Sequence, residues 1–152
     1  MQTRQSKLSS VTRVIEVNDP SYRGLIKIPK YMNRFEYLKI GGSVGADTFG
    51  WAREVNQAFY RSMEWRRIRD SVILRDNGMD MAFEGRPIFG KVIVHHIQPL
   101  TIQHFDTDSS LIYDPDNLVC VSHKTHNAIH YGDAKLLAPP MKERRPGDTK
   151  LW

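Results

Sequence analysis

The pattern of apolar and polar positions is most regular between residues 51 and 76. The apolar residues of this segment recur close to the helical period, as Ala52, Val55, Phe59, Ile68 and Val72. The pattern predicts a helical segment and leaves open whether it is one helix or two helices separated near Ser62. Asp76-Asn77-Gly78 is a turn signal that ends the segment.

Two apolar runs further along the chain have the composition of buried strands. Residues 88–97 are rich in β-branched side chains, and Pro99 ends the run because it has no N–H to donate to a continuing ladder. Residues 118–121 form a second, shorter apolar run. The polar stretch between the two runs, residues 101–116, predicts a long loop.

A short helix is predicted directly after the second run. Ser122 is a typical N-cap residue, and Gly132 is typical of the residue that ends a helix, so the helix is expected over residues 123–131. The predicted order is strand, long loop, strand, helix. Together with the earlier helical segment, this order indicates an α+β protein.

The two ends of the chain carry fewer signals. Residues 1–50 are rich in turn residues, and their short apolar alternations at 11–17 and 25–28 are compatible with strands. Residues 136–152 contain three prolines, whose spacing argues against a helix. We therefore divide the chain into an N-terminal extension (1–50), a central domain (51–135) and a Pro-rich tail (136–152).

Composition limits the classes to which the protein can belong. Of its 152 residues, 40% are hydrophobic and 26% are charged, which is ordinary for a globular domain. No apolar run approaches the roughly 20 residues that cross a bilayer, and the first 25 residues lack the apolar centre of a signal peptide. We expect a cytoplasmic protein without a membrane partner. The single cysteine, Cys120, excludes an internal disulfide and a Cys-rich zinc site.

All six histidines lie between residues 95 and 130. His126 and His130 are one helical turn apart, so both imidazoles can reach one ion. A third ligand can come from the His95-His96 pair near the end of the first predicted strand. Successive strand side chains point to opposite faces, so one of the pair is expected to bind metal while the other stays free as a general base.

Two further histidines have other readings. His123 is a rival metal ligand, because it lies three residues before His126 on the predicted helix, although a phosphate contact or a role at the helix start is favoured. His104 lies in the predicted loop and is expected to be structural or exposed.

These residues together resemble a known family. His95-His96 at the end of a strand, Asn117 before the second strand, and His126 and His130 on the next helix resemble the HNH endonucleases and their ββα-metal motif, also called the His-Me finger. The resemblance covers residues 88–131, and its Asn117-to-His130 spacing is similar to that of colicin-type nucleases. The segment preceding it looks like the lead-in helix of HNH proteins encoded by bacteriophages.

The resemblance implies a role for each matched residue. His96 would be the general base, Asn117 would orient it across the long loop, and His95, His126 and His130 would hold one divalent ion. A ligand set made only of nitrogen suits zinc or nickel better than magnesium, and manganese is also a candidate. The Cys-x-x-Cys pairs that many family members carry are missing here.

The implied fold is α+β, with a ββα-metal core, a preceding helical segment and extensions at both ends; residues 51–135 would be the nuclease domain. The implied activity is endonucleolytic hydrolysis of phosphodiester bonds, with double-stranded DNA favoured. A net charge of +5 is compatible with this partner. The predicted phosphate contacts are Arg66, Arg67, Arg69 and Lys124.

Other interpretations stay open. The arginines between residues 61 and 75 are equally compatible with a solvated helix face, balanced by nearby carboxylates. Asn117 could belong to an ordinary turn. The protein could also be a non-catalytic nucleic-acid-binding module with a structural metal, or an accessory module that works with phage packaging proteins.

Overall fold

The computed structural model describes residues 19–40, 53–83, 86–107, 110–137, 139 and 145–147. Its helices are α1 (Tyr22–Leu25), α2 (Tyr31–Leu38), α3 (Arg53–Arg61), α4 (Met63–Arg75), α5 (Ile102–Asp106) and α6 (His123–Tyr131). Its strands are β1 (Ile93–His96) and β2 (Leu118–Val121), and short 3-10 turns cover Ser110–Ile112, Pro115–Asn117 and Ala134–Leu136. The predicted α+β class is confirmed at this level.

The two strands form an antiparallel pair. His95 lies opposite Val119 and His96 lies opposite Leu118 in the register of the ladder. β2 has the predicted bounds, but β1 spans four residues rather than the ten of its apolar run. The reason is that β2 gives way to a helix after Val121, which pairs with Ile93, so residues before Ile93 have no strand to pair with.

The helical segment consists of two helices that are separated at Ser62. The backbone of Ser62 is extended (φ −63°, ψ 154°), and its Oγ accepts a hydrogen bond from the backbone N–H of Trp65 at 3.1 Å. Ser62 therefore caps α4 instead of continuing α3. The predicted turn after α4 is confirmed, with positive φ at Asn77 (52°) and Gly78 (65°).

The predicted long loop was wrong in part, because residues 101–116 contain α5 and short 3-10 turns. Thr101 is the N-cap of α5, and its backbone N–H donates to Nδ1 of His104 at 2.9 Å. Half-buried Phe105 then packs onto the core. His104 thus has the structural role that the sequence suggested. The polar composition gave no sign of this helix, because local side-chain hydrogen bonds and the apolar contact of Phe105 stabilise it.

The hydrophobic core lies on both faces of the small sheet. The alternation of side chains along β2 sends Val119 and Val121 to one face, and Leu118 and Cys120 to the other. The first face packs against a group that we call the α6-side core, formed with Leu25, Phe35, Leu38, Ala128 and Ile129. The second packs against the α4-side core, formed with Phe59, Trp65, Val72, Val94 and Ile112.

The N-terminal part of the chain contributes to this core. Leu25 is fully buried at the end of α1, so the strand suggested for residues 25–28 is wrong. The strand suggested for residues 11–17 lies outside the described residues, as does the domain boundary at residue 50. No helix among the described residues combines the length and the apolar character that crossing a membrane requires.

One pair of identical substitutions measures how much the core depends on burial. Leu118 is 0% exposed and Leu74 is 81% exposed. We expect Leu118→Ala to lower the free energy of unfolding by about 2–5 kcal/mol, because it removes buried methyl groups and leaves a cavity. Leu74→Ala should change it by less than about 0.5 kcal/mol. Urea denaturation of both variants checks this, and equal losses would contradict the assigned core.

Candidate metal centre

Three histidines from β1 and α6 converge on one point. The ring of His95 lies 5.4 Å from that of His126 and 5.0 Å from that of His130, and the His126 and His130 rings are 4.3 Å apart. One nitrogen of each ring lies within 4.8 Å of the other two. Three imidazole nitrogens at this separation can bind one divalent ion.

The local sequence explains how α6 delivers its two histidines. A single residue, Ser122, joins β2 to α6, and its Oγ accepts from the backbone N–H of Thr125 at 3.2 Å. Ala128 and Ile129 bury the opposite face of the helix in the α6-side core. At the other end Gly132 adopts the left-handed conformation (φ 64°) that ends the helix. Both predicted helix ends are confirmed.

Burial keeps the three rings neutral. The pKa of His95 is well below its ordinary value, chiefly through desolvation and secondly through the nearby rings of His130 and His126. Desolvation, followed by the charge of His126, lowers the pKa of His130 to about 4. Desolvation also lowers the pKa of His126, while a hydrogen bond with Asn127 opposes the shift. A neutral imidazole is the form that binds a metal.

The environment of His95 Nε2 shows whether the group fits a metal. His95 is 5% exposed, and its buried Nε2 has no hydrogen-bond partner in the described part of the chain. A buried polar atom left in this way costs about 1–3 kcal/mol. Because the imidazoles of His126 and His130 face the same place, an ion held there would satisfy the atom. The three residues therefore fit the predicted metal.

His96 points to the opposite face of the sheet. Its ring stacks on the indole of Trp65, with centroids 5.4 Å apart and planes at 23°, inside the α4-side core. Its Nε2 lies 3.0 Å from the carbonyl oxygen of Ile112. A carbonyl only accepts, so Nε2 carries the proton and Nδ1 keeps the lone pair. Desolvation lowers the pKa of His96, and the bond to Ile112 opposes that shift.

Asn117 ties the connecting segment to both strands. Its Oδ1 accepts from the backbone N–H of Gln98 at 2.7 Å, just after β1. Its Nδ2 donates to the carbonyl of Gln98 at 3.3 Å and to that of Leu111 at 3.1 Å. Leu111 directly precedes Ile112, whose carbonyl binds His96. Asn117 thus fixes the segment that presents the hydrogen-bond acceptor to His96.

His123, the rival ligand, and the single cysteine both stand apart from this group. His123 is exposed at the first position of α6 and does not belong to the three-histidine group. Cys120 is buried in β2, where its thiol lies near Val72 on the other side of the sheet. Desolvation, followed by the charge of Asp76, raises the pKa of that thiol to about 12. Cys120 lies on the opposite face of the sheet from the three histidines and is therefore outside their group.

The predicted phosphate contacts differ in their surroundings. Arg66 and Arg67 are exposed in the first turns of α4 and directly follow Trp65, whose ring stacks on His96. Lys124 is exposed in the first turn of α6, two residues before His126. Arg69 is half-buried, and its Nη1 donates to Asp70 at 3.2 Å. Three of the four cations therefore lie exposed on the helices that carry or contact the site histidines.

Sequence reasoning missed two contacts of His96, the Trp65 ring and the Ile112 carbonyl, and a buried carboxylate, Asp80, that accepts from Thr125 in the first turn of α6. The carbonyl left no sequence signal, because any residue supplies one. Asp80 did leave a signal, since it stands alone among Met79, Met81, Ala82 and Phe83. A lone carboxylate within an apolar run indicates a buried acid with specific hydrogen-bond donors.

Comparisons of the chain with protein-family models, curated proteins and solved structures found no match. Functional inference therefore depends on the residues and the geometry of the site itself.

Single histidine substitutions on α6 separate ligands from neighbours. We expect His126→Ala and His130→Ala each to weaken binding of Zn²⁺ or Ni²⁺ by more than about 100-fold, above the usual effect of residues outside the ligand shell. His123→Ala is the matched control on the same helix and should keep the affinity. Competition with a chromophoric chelator measures all three. Wild-type affinity in both ligand variants would remove them from the centre.

The lowered pKa of His130 makes a prediction for the metal-free protein. Between about pH 6.5, the ordinary histidine pKa, and about 4, the unfolded chain binds a proton at His130 that the folded chain does not. The free energy of unfolding should therefore fall as the pH falls through this window. His130→Asn should make that fall shallower, as urea denaturation with EDTA would measure. Identical slopes would contradict the burial of a neutral His130.

Proposed function

We propose that this protein is a metal-dependent endonuclease of the HNH type that hydrolyses phosphodiester bonds, with double-stranded DNA as its substrate. In this proposal β1, β2 and α6 form a ββα-metal core. The observation that carries it is that two consecutive histidines, His95 and His96, have different surroundings. His95 belongs to a group of three imidazoles that suits a metal, whereas His96 lies outside that group and hydrogen-bonds to the Ile112 carbonyl.

The donor set supports a particular choice of ion. Three neutral imidazoles favour Zn²⁺ or Ni²⁺ over Mg²⁺, which prefers oxygen ligands. When bound, the ion supplies charge that polarises the scissile phosphate and stabilises the leaving oxygen. His95, His126 and His130 would hold it.

His96 would act as the general base. With its Nε2 proton directed to Ile112, Nδ1 is the ring atom that would take a proton from water. The lowered pKa keeps the ring neutral, and hence able to accept that proton, at neutral pH. The bond to Ile112 then stabilises the imidazolium that forms. Asn117 would support this orientation through its bond to Leu111.

The number of ligands favours catalysis over a purely structural metal. Structural zinc sites close with four protein ligands, whereas catalytic sites keep one position open for water or substrate. The described residues supply three, and exposed His123 is not among them. The exposed cations Arg66, Arg67 and Lys124 would contact phosphates on either side of the site. Arg69 would contribute less, because Asp70 already neutralises it.

Removal of the proposed base tests the function. We expect His96→Ala to slow nicking of supercoiled plasmid by about 10²- to 10⁴-fold, since a positioned general base contributes that much. Metal affinity should stay near that of the wild type, because His96 faces the other side of the sheet. Assays should use a panel of divalent ions, with EDTA as the blank. His104→Ala is the matched control, because His104 is neither a proposed metal ligand nor the proposed base.

Two results would contradict the proposal. Nicking by the His96→Ala variant at the wild-type rate would remove His96 as the base. A wild-type protein that binds the ion and DNA but cleaves nothing under any ion would favour the binding module with a structural metal.

A further inference from the structure

Asp80 is a fully buried carboxylate that the proposed mechanism does not use. It lies in the segment between α4 and β1, where its relative exposure is 0%. No ion pair to it occurs within the described part of the chain. A buried carboxylate without a cation needs hydrogen-bond donors around it to satisfy its oxygens.

Those donors come chiefly from the start of α6. Oδ2 of Asp80 accepts from Oγ1 of Thr125 at 2.6 Å and from the backbone N–H of Ser122 at 3.1 Å. Oδ1 accepts from the backbone N–H of Ala82 at 3.1 Å. The Ser122 hydroxyl donates to Thr125 Oγ1 at 3.1 Å, so the two hydroxyls form a chain that ends on the carboxylate. The positive end of the helix dipole also favours a negative charge there.

This carboxylate bonds to the junction between β2 and α6 and to the first turn of the helix that follows it. Ser122 is the junction itself, and Thr125 belongs to the first turn of the helix. The segment that carries Asp80 is fixed in turn, because the Met81 N–H donates to the Cys120 carbonyl at 3.0 Å. Arg34 donates to the Met81 carbonyl at 2.9 Å. Asp80 therefore links the first turn of α6 to a segment that is itself bonded to β2.

The direction of α6 matters because the three ligands come from two elements. His126 and His130 move with the helix, whereas His95 stays with β1. His126 directly follows Thr125, the residue whose hydroxyl Asp80 binds. A small rotation of α6 about Ser122 would separate the nitrogens that now lie within 4.8 Å of one another. Metal sites need their ligands held to within roughly 0.5 Å.

We propose that Asp80 is a positioning residue of the metal centre, acting through Thr125 to bring His126 and His130 to His95. The inference rests on the metal site of the proposed function, though not on nuclease activity. The chain has one cysteine, so a cysteine-bound zinc cannot brace this junction. The hydrogen bonds to Asp80 do so instead.

The test uses Thr125, which permits two closely matched changes. Thr125→Val keeps the side-chain shape and removes the hydroxyl, whereas Thr125→Ser keeps the hydroxyl. We expect Thr125→Val to weaken Co²⁺ binding by about 10- to 100-fold, as loss of an outer-shell partner typically does. The visible absorption of the bound Co²⁺, which reports its coordination geometry, should change as well. Thr125→Ser should keep the Co²⁺ affinity and the absorption spectrum near those of the wild type. Asp80→Asn should resemble Thr125→Val in both measurements.

Val72→Ala separates positioning from general instability. Val72 is buried in the α4-side core, away from α6, so its truncation destabilises the fold without touching the junction. Titrations are done where circular dichroism shows every metal-free variant folded. We expect Val72→Ala to bind Co²⁺ like the wild type.

Three outcomes would overturn the inference. The first is a wild-type affinity and spectrum in Thr125→Val. The second is an equal loss of affinity in Val72→Ala. The third is a wild-type protein that binds no Co²⁺, which would contradict both the proposed metal site and this inference. Failure of plasmid cleavage with the expected Co²⁺ affinities would instead overturn the nuclease proposal alone and leave the positioning role supported.

Discussion

Consecutive side chains of a β-strand point to opposite faces of its sheet, and this constraint at residues 95 and 96 organises the site. His95 turns toward α6, where two more imidazoles meet it. His96 turns toward α4, where the Trp65 ring covers it and the Ile112 carbonyl binds it. Two identical side chains thus occupy different chemical environments, one suited to a metal and the other to holding a single proton.

A sheet of two strands is marginal by itself, and here side chains support its second edge. Asp76 accepts the backbone N–H of Cys120 at 2.9 Å, and Asp80 accepts that of Ser122 at 3.1 Å. Arg75 balances the charge of Asp76 with two hydrogen bonds, at 2.8 and 3.1 Å. The two carboxylates thus satisfy donors that a third strand would otherwise bind. The same contacts fix the point at which β2 becomes α6.

Local signals predicted the parts of the site that depend on local structure. The bounds of α6 followed from Ser122 and Gly132, and the shared face of His126 and His130 followed from helical periodicity. Local signals did not predict the long-range contacts of the site. The acceptor for His96 is a backbone carbonyl 16 residues away, and the anchor of Thr125 is a carboxylate 45 residues away. No local pattern specifies which distant residue supplies such a partner. The resemblance to HNH nucleases suggested Asn117, and only the structure showed what it binds.

We infer that three imidazoles, from β1 and α6, would form one metal site with a further position left open. X-ray absorption spectroscopy of the zinc-loaded protein measures this directly, because it counts the imidazoles bound to the ion. We expect the zinc ion to bind three imidazole nitrogens and one exchangeable oxygen ligand. In the His126→Ala variant, two imidazoles should remain. A shell of four imidazoles, or a count that His126→Ala leaves unchanged, would contradict it.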